Sequence, residues 1–245
     1  MFMSRIAAAL GGLVLAATTI LATATPSEAV GAYSVEQVVL PSGQTTVVRW
    51  DPCRTITYAV NLAGLPASRR GEVLWEVQTA VQNLSEWTGL RFSYQGTTAA
   101  VPQVGASASQ PADLLIAYTT PWQTDFDLTG GRLGEGGNSY YTWPQRYSDG
   151  STRWEAAITR GWAVLDASDM YQLLRPGFGY GTTTGNLLLH ELGHAVGLQH
   201  VGDYSQLMAP VLTASAPNGY GSGDGAGLAR VGSSYGCIDV PSSLE

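Results

Sequence analysis

The chain contains three histidines, and all of them fall within eleven residues: His190-Glu191-Leu192-Gly193-His194-Ala195-Val196-Gly197-Leu198-Gln199-His200. The pattern H-E-x-x-H-x-x-G-x-x-H constrains folding more than any other feature, because it demands a helix, a sharp turn and a return of the chain to one point. Average composition would produce five such fixed positions on the order of once in 10⁵ chains of this length. Side chains four apart share one face of a helix, so His190 and His194 can offer both imidazoles to one metal ion at roughly 2.0–2.1 Å. Glu191 sits about 100° further round the helix, which displaces it from a ligand position but leaves it in reach of a water on the metal. Gly197 falls where the helix should stop, and a glycine there takes a left-handed turn at little cost, returning His200 to the metal. Three protein ligands leave a fourth position for water, the arrangement of a catalytic rather than a structural zinc. Zinc lowers the pKa of such a water to about 7, and Glu191 is the base that takes its proton and passes it to a leaving amine.

Where such a centre works is suggested by the N-terminus. Arg5 precedes an apolar run over residues 6–24, followed by small-residue sites at Ala22-Thr23-Ala24 and Ser27-Glu28-Ala29. Residues 1–29 read as a secretory signal peptide cleaved after Ala29, with Ala24 the alternative site and an uncleaved membrane anchor the competing reading. Residues 30–245 then form one catalytic domain, secreted, extracellular and monomeric. A net charge of −7, with every one of the 12 basic residues an arginine, argues against nucleic acid and anionic membranes as partners.

Cys53 and Cys237 are the two cysteines. An even count in an exported chain points to one disulfide, which would join the start of the first strand to the C-terminal tail. Zinc ligation by these thiols is the alternative. Calcium is a further candidate ligand, since Asp125, Asp127 and Asp149 stand in glycine-rich loops.

Hydrophobic patterning alternates in type. Residues 55–60 are β-rich, and residues 67–88 carry Val73, Leu74, Val77, Ala80, Val81, Leu84 and Trp87 at helical spacing before Gly89. Residues 91–94 and 113–118 read as strands, with a polar loop over 97–111 between them. Glycines at 130, 131, 134, 136 and 137 bracket an irregular edge strand near 132–138, and residues 157–166 form another strand. The zinc helix should begin near 182–184, capped by one of three threonines. A turn at Met208-Ala209-Pro210, a loose stretch to Gly223 and a short helix near 224–231 follow. Tyr140, Tyr141, Trp143, Trp154 and Trp162 are candidates to line a cleft, although packing would account for most of them.

The stretch from His190 to His200, followed by Ser205-Gln206-Leu207-Met208-Ala209-Pro210, resembles the zinc helix and Met-turn of the metzincin endopeptidases, and among them the matrixins. Trp50-Asp51-Pro52-Cys53-Arg54-Thr55-Ile56-Thr57-Tyr58 resembles the first strand of secreted bacterial matrixin-like proteins, and Gly223-Asp224-Gly225-Ala226-Gly227-Leu228 the start of the family's last helix. The resemblance implies an α+β, metzincin-type zinc-protease domain. It would have a twisted, mostly parallel five-stranded sheet with three helices, and an active-site cleft between upper and lower subdomains. It places Met208 beneath the metal as packing, runs a peptide substrate antiparallel to the edge strand near Gly134, and lines the pocket after the scissile bond with Pro210 and Leu212. Val201 stands where vertebrate matrixins carry Ser, Pro210 replaces the tyrosine ligand of astacin-like relatives, and no cysteine lies between Ala29 and Trp50 to act as a switch.

The leading expectation is a secreted zinc-dependent endopeptidase acting on peptide or protein substrates with one catalytic zinc. The alternatives are a secreted zinc-binding protein without general proteolytic activity and a zinc hydrolase of narrow, non-protein specificity.

Overall fold

Burial of the run Leu114–Thr119 on both faces makes it the middle strand of the molecule, since a strand with no exposed face needs cover above and below. The computed structural model describes residues 32–106 and 109–241; the expected leader, residues 1–29, lies outside them. In chain order the elements are β1 (Ser34–Val35), β2 (Gln37–Val39), β3 (Thr45–Val47), β4 (Thr55–Asn61), α1 (Arg70–Thr88), β5 (Arg91–Thr97), β6 (Leu114–Thr119), β7 (Gly134–Arg146), β8 (Thr152–Asp166), α2 (Met170–Leu173), α3 (Thr184–Ala195), β9 (Leu198–Gln199) and α4 (Ser222–Val231). The main sheet runs β5-β4-β6-β8-β7. All its pairings are parallel except β7 on β8. The expected α+β class and mostly parallel five-stranded sheet are therefore present, with α1, α3 and α4 as the three substantial helices and α2 a single turn.

Three sequence readings change. The helix expected from residue 67 begins with a 3-10 turn over Ala67–Arg69, and α1 proper starts at Arg70. The edge strand is longer than its glycines suggest: β7 continues from Asn138 to Arg146, and β8 starts at Thr152 rather than 157. Pro144 obscured this extension, yet it lies on an edge strand opposite Trp154, where its missing N–H breaks no inner ladder. The third change is the N-terminal arm, in which β1 pairs with β9 and β2 with β3. Strands of two and three residues are too short for periodicity to reveal.

The core joins α1, through Val73, Val77, Val81 and Leu84, to the sheet residues Ile116, Ala163 and Leu165 and to Leu188 and Leu192 of α3. The tail is secured by the Cys53–Cys237 disulfide, with Cα atoms 5.3 Å apart. Zinc ligation by these thiols is thereby set aside. Chain-entropy reasoning gives such a bridge roughly 5 kcal/mol at most for its long loop. Ile238 N–H also donates to Asp51 Oδ1 at 3.0 Å, beside the bridge.

What positions the site is the approach of β7 to α3. A Cβ on Gly136 would lie 2.1 Å from the main-chain oxygen of Glu191, so only glycine permits this contact. Gly136→Ala should lower stability by about 1–3 kcal/mol through overpacking. Gly71→Ala, in open space near the start of α1, should raise it by about 0.5 kcal/mol. Thermal melts of the two variants check the pair; equal effects would mean that β7 yields freely.

Candidate metal centre

Thr183 caps α3: its side chain accepts from Asn186 N–H at 3.1 Å. Asn186 in turn donates to Gly179, Gly181 and Pro217 carbonyls and accepts from Gly219 N–H, which fixes the loop entering the helix. Leu187, Leu188, Leu189 and Leu192 hold the helix in the core, and His190 and His194 project from it one turn apart. Gly197 has φ +103, a conformation open to glycine at little cost. The turn sends the chain through β9 back to His200. The Nε2 atoms of His190 and His200 lie 3.1 Å apart, those of His194 and His190 3.2 Å, and those of His194 and His200 3.0 Å.

The outer nitrogens explain why these atoms converge. His190 Nδ1 faces Leu207 O at 2.8 Å and His194 Nδ1 faces Leu198 O at 2.9 Å. A carbonyl only accepts, so each Nδ1 carries the proton and each Nε2 turns a lone pair inward. Four tetrahedral bonds of about 2.0–2.1 Å separate ligand atoms by about 3.3–3.4 Å. The observed triangle, its neutral donors and its open side fit zinc. Burial, with His194 next in effect, pushes His190 down to about 3. Burial is also the main cause that holds His194 at about 4 and lowers His200. The donors are therefore neutral at physiological pH.

Beneath them, Met208 is buried, and a Cβ on Gly193 would lie 2.6 Å from its sulfur. The Met208 turn is pinned by Asp224 of α4, whose carboxylate accepts from Leu207 N–H at 2.6 Å, Met208 N–H at 3.2 Å and Gly221 N–H at 2.9 Å. Gln206 Oε1 accepts from Gly223 and Asp224 N–H. The sequence reading missed the supporting roles of Asp224 and Gln206, although both stand inside the segments that carried the family resemblance.

Glu191 is buried between α3 and β7, where the Gly136 backbone opposes the rise in its pKa. Burial, reinforced by Glu135, raises it to about 8. Together with the three histidines it lines a cleft of about 500 Å³ whose wall includes Gly134, Gly136, Asn138, Trp162 and Pro210. A second cavity of about 340 Å³ continues past His190 and Glu191 to Gly134, Leu174, Leu187, Pro210 and Leu212. Of the five aromatics named from sequence, Trp162 alone lines the cleft, while Trp143 packs with Ala157 and Ile238 in a separate cluster. Glu36, from the N-terminal arm, also lines it and was not anticipated. The loop acids do not converge: among the described residues no cluster of three ligating side chains contains Asp125, Asp127 or Asp149. Asp127 and Asp149 instead close local turns onto Thr129 and Ser151.

Among the described residues no helix is long and apolar enough to cross a membrane. The Matrixin family model matches residues 49–227, a span that contains the whole histidine cluster. A search of curated proteins finds no match.

The burial of these groups predicts how the metal-free chain responds to pH. Folded His190 and His194 stay neutral to about 3 and 4, whereas the unfolded chain protonates both near 6.5. Their contribution to stability is complete above pH 6.5 and is lost as the pH falls. Glu191 acts oppositely, because the fold keeps its proton up to about 8 while the unfolded chain sheds it near 4.5. Between pH 4.5 and 6.5 the two effects partly cancel. Glu191→Gln should therefore steepen the acid-side loss of stability by about 1.4 kcal/mol per pH unit, one proton's worth. Denaturant titrations of both metal-free proteins at several pH values measure the slope, and parallel lines would refute the buried, protonated carboxyl.

Proposed function

The chain belongs to the matrixin family and is a zinc metalloendopeptidase, and on that premise we propose that it is a secreted enzyme in which Glu191 is the general base for peptide-bond hydrolysis. One observation carries the mechanism: three inward-facing imidazole nitrogens 3.0–3.2 Å apart share a cleft with a buried carboxyl. His190, His194 and His200 hold the metal. Zinc bound there supplies Lewis-acid chemistry, polarising a carbonyl and acidifying water.

The chain's own groups do the rest. Glu191 takes a proton from the attacking water and delivers it to the leaving amine. Buried against β7 and lining the same cleft as the histidines, its carboxyl is placed to receive that proton. The substrate lies extended and antiparallel to β7, with main-chain pairing as its chief anchor. Its carboxyl-terminal side then runs towards Gly134, and the residue after the scissile bond enters the cavity lined by Pro210 and Leu212. Its amino-terminal side runs towards Asn138. Gly197 shapes the return of His200, and Met208 packs below the histidines without ligating.

Residues 1–29 serve in this reading as a signal peptide and residues 30–245 as a monomeric catalytic domain; a disulfide in the fold supports an oxidising destination. Glu191→Ala should keep one zinc per chain and lose activity on casein by about 10²–10⁴-fold. Chelation should abolish the wild-type activity and zinc restore it. Undiminished turnover in Glu191→Ala would remove the assigned base. A tightly held zinc with no cleavage of any protein would favour a hydrolase of narrow specificity.

A further inference from the structure

The amino-terminal arm is built into the cleft wall. β1 pairs with β9 at Ser34 with Gln199 and Val35 with Leu198. Glu36 N–H then donates to Gly197 O at 2.7 Å, and Glu36 O accepts from Val48 N–H at 3.0 Å. The backbone of Glu36 is thus fixed on both sides, directly beside the turn that delivers His200.

Its side chain is held as well. Asn138 Nδ2 donates to Glu36 Oε2 at 2.8 Å and to His194 O at 3.2 Å. This one amide links the carboxylate to the zinc helix and to β7. Asn138 is neutral, and among the described residues no cation lies within salt-bridge distance of Glu36. Glu135, on the same wall, already has Arg132 at 3.2 Å. Glu36 also stands apart from the metal ligands: the cluster of ligating atoms within 4.8 Å of one another contains the three histidines and no carboxylate. A fixed, partly exposed carboxylate with only a neutral partner therefore faces the cleft where the β7 wall reaches Asn138.

We propose that Glu36 is a specificity residue that receives an arginine or lysine side chain on the amino-terminal side of the scissile bond. This rests on the antiparallel substrate orientation given above, which brings that side of the peptide past Asn138. A guanidinium entering the cleft gains a charge-assisted hydrogen bond to a carboxylate already held by Asn138, with little further ordering required. The net charge of −7 favours the approach of cationic peptides to the same end.

The test compares peptides that carry arginine or its uncharged isostere citrulline at each of the three positions before the cleaved bond. Cleavage by the wild-type zinc enzyme gives one ratio of kcat/KM, and binding to the zinc-loaded Glu191→Ala chain, read by fluorescence anisotropy, gives a second ratio that needs no catalysis. At one position the arginine peptide should be favoured about tenfold or more in both. Glu36→Gln should bring both ratios towards one, and salt should weaken the preference. Ratios near one in the wild type, or ratios that survive Glu36→Gln, overturn the assignment. So would a Glu36→Gln chain that weakens both peptides equally, since that outcome marks a scaffold residue. If the wild type cleaves neither peptide, the binding ratio alone decides the role of Glu36, and casein cleavage tests the catalytic reading separately.

Discussion

The convergence of three imidazole Nε2 atoms to within 3.0–3.2 Å of one another is the constraint on which the rest of the site depends. That convergence requires the surroundings to fix the rings. Two carbonyls, Leu207 O and Leu198 O, hold His190 and His194 by their outer nitrogens. Those carbonyls must themselves be immobile. The buried Asp224 takes three main-chain N–H groups to hold the first, and pairing of β9 with β1 holds the second. Each layer of support exists to keep the one inside it from relaxing.

Hydrogen bonds tie the zinc helix to other elements at its start, its middle and its end. At its start, Thr184 Oγ1 donates to Glu76 Oε1 of α1 at 2.6 Å in the buried interior. In its middle, Tyr220 O–H donates to Leu189 O at 2.6 Å. At its end, Gly197 O receives Glu36 N–H from the arm. A helix held at one point could still tilt, and even a small tilt would open the histidine triangle, since His200 does not ride on the helix. The histidines therefore sit on a rigid support, whereas the walls around Gly130–Gly131 and Val211 are loops free to differ in shape without disturbing the ligands.

The sequence made the ligands legible for a physical reason: two lie on one helix and the third follows one glycine turn, so local spacing alone defines them. The helix α1 and the strands β4, β6 and β8 were legible because their burial is periodic or nearly continuous. The partners were much less legible. Leu207 and Leu198 act through backbone oxygens, which leave no mark on residue type. Glu36 and Asn138 lie 102 positions apart in the chain, and neither stands in a pattern of its own. The extension of β7 was hidden by a proline that an edge strand tolerates. What was missed is the part of the site that tertiary contact, rather than local sequence, creates.

The same distinction bears on how the site can vary. The metal ligands are tightly constrained, because each must supply a donor atom at a fixed point. Glu36 is under a different constraint: its backbone braces the turn that places His200, while its side chain faces the cleft. Backbone pairing is nearly indifferent to residue type, so the brace can be retained while the group it displays changes. An arm anchored in this way separates the requirement for a rigid metal centre from the choice of substrate. Substitution at position 36 then changes the charge that faces the cleft while the backbone brace on the His200 turn is kept, a freedom that a residue on α3 itself would not have.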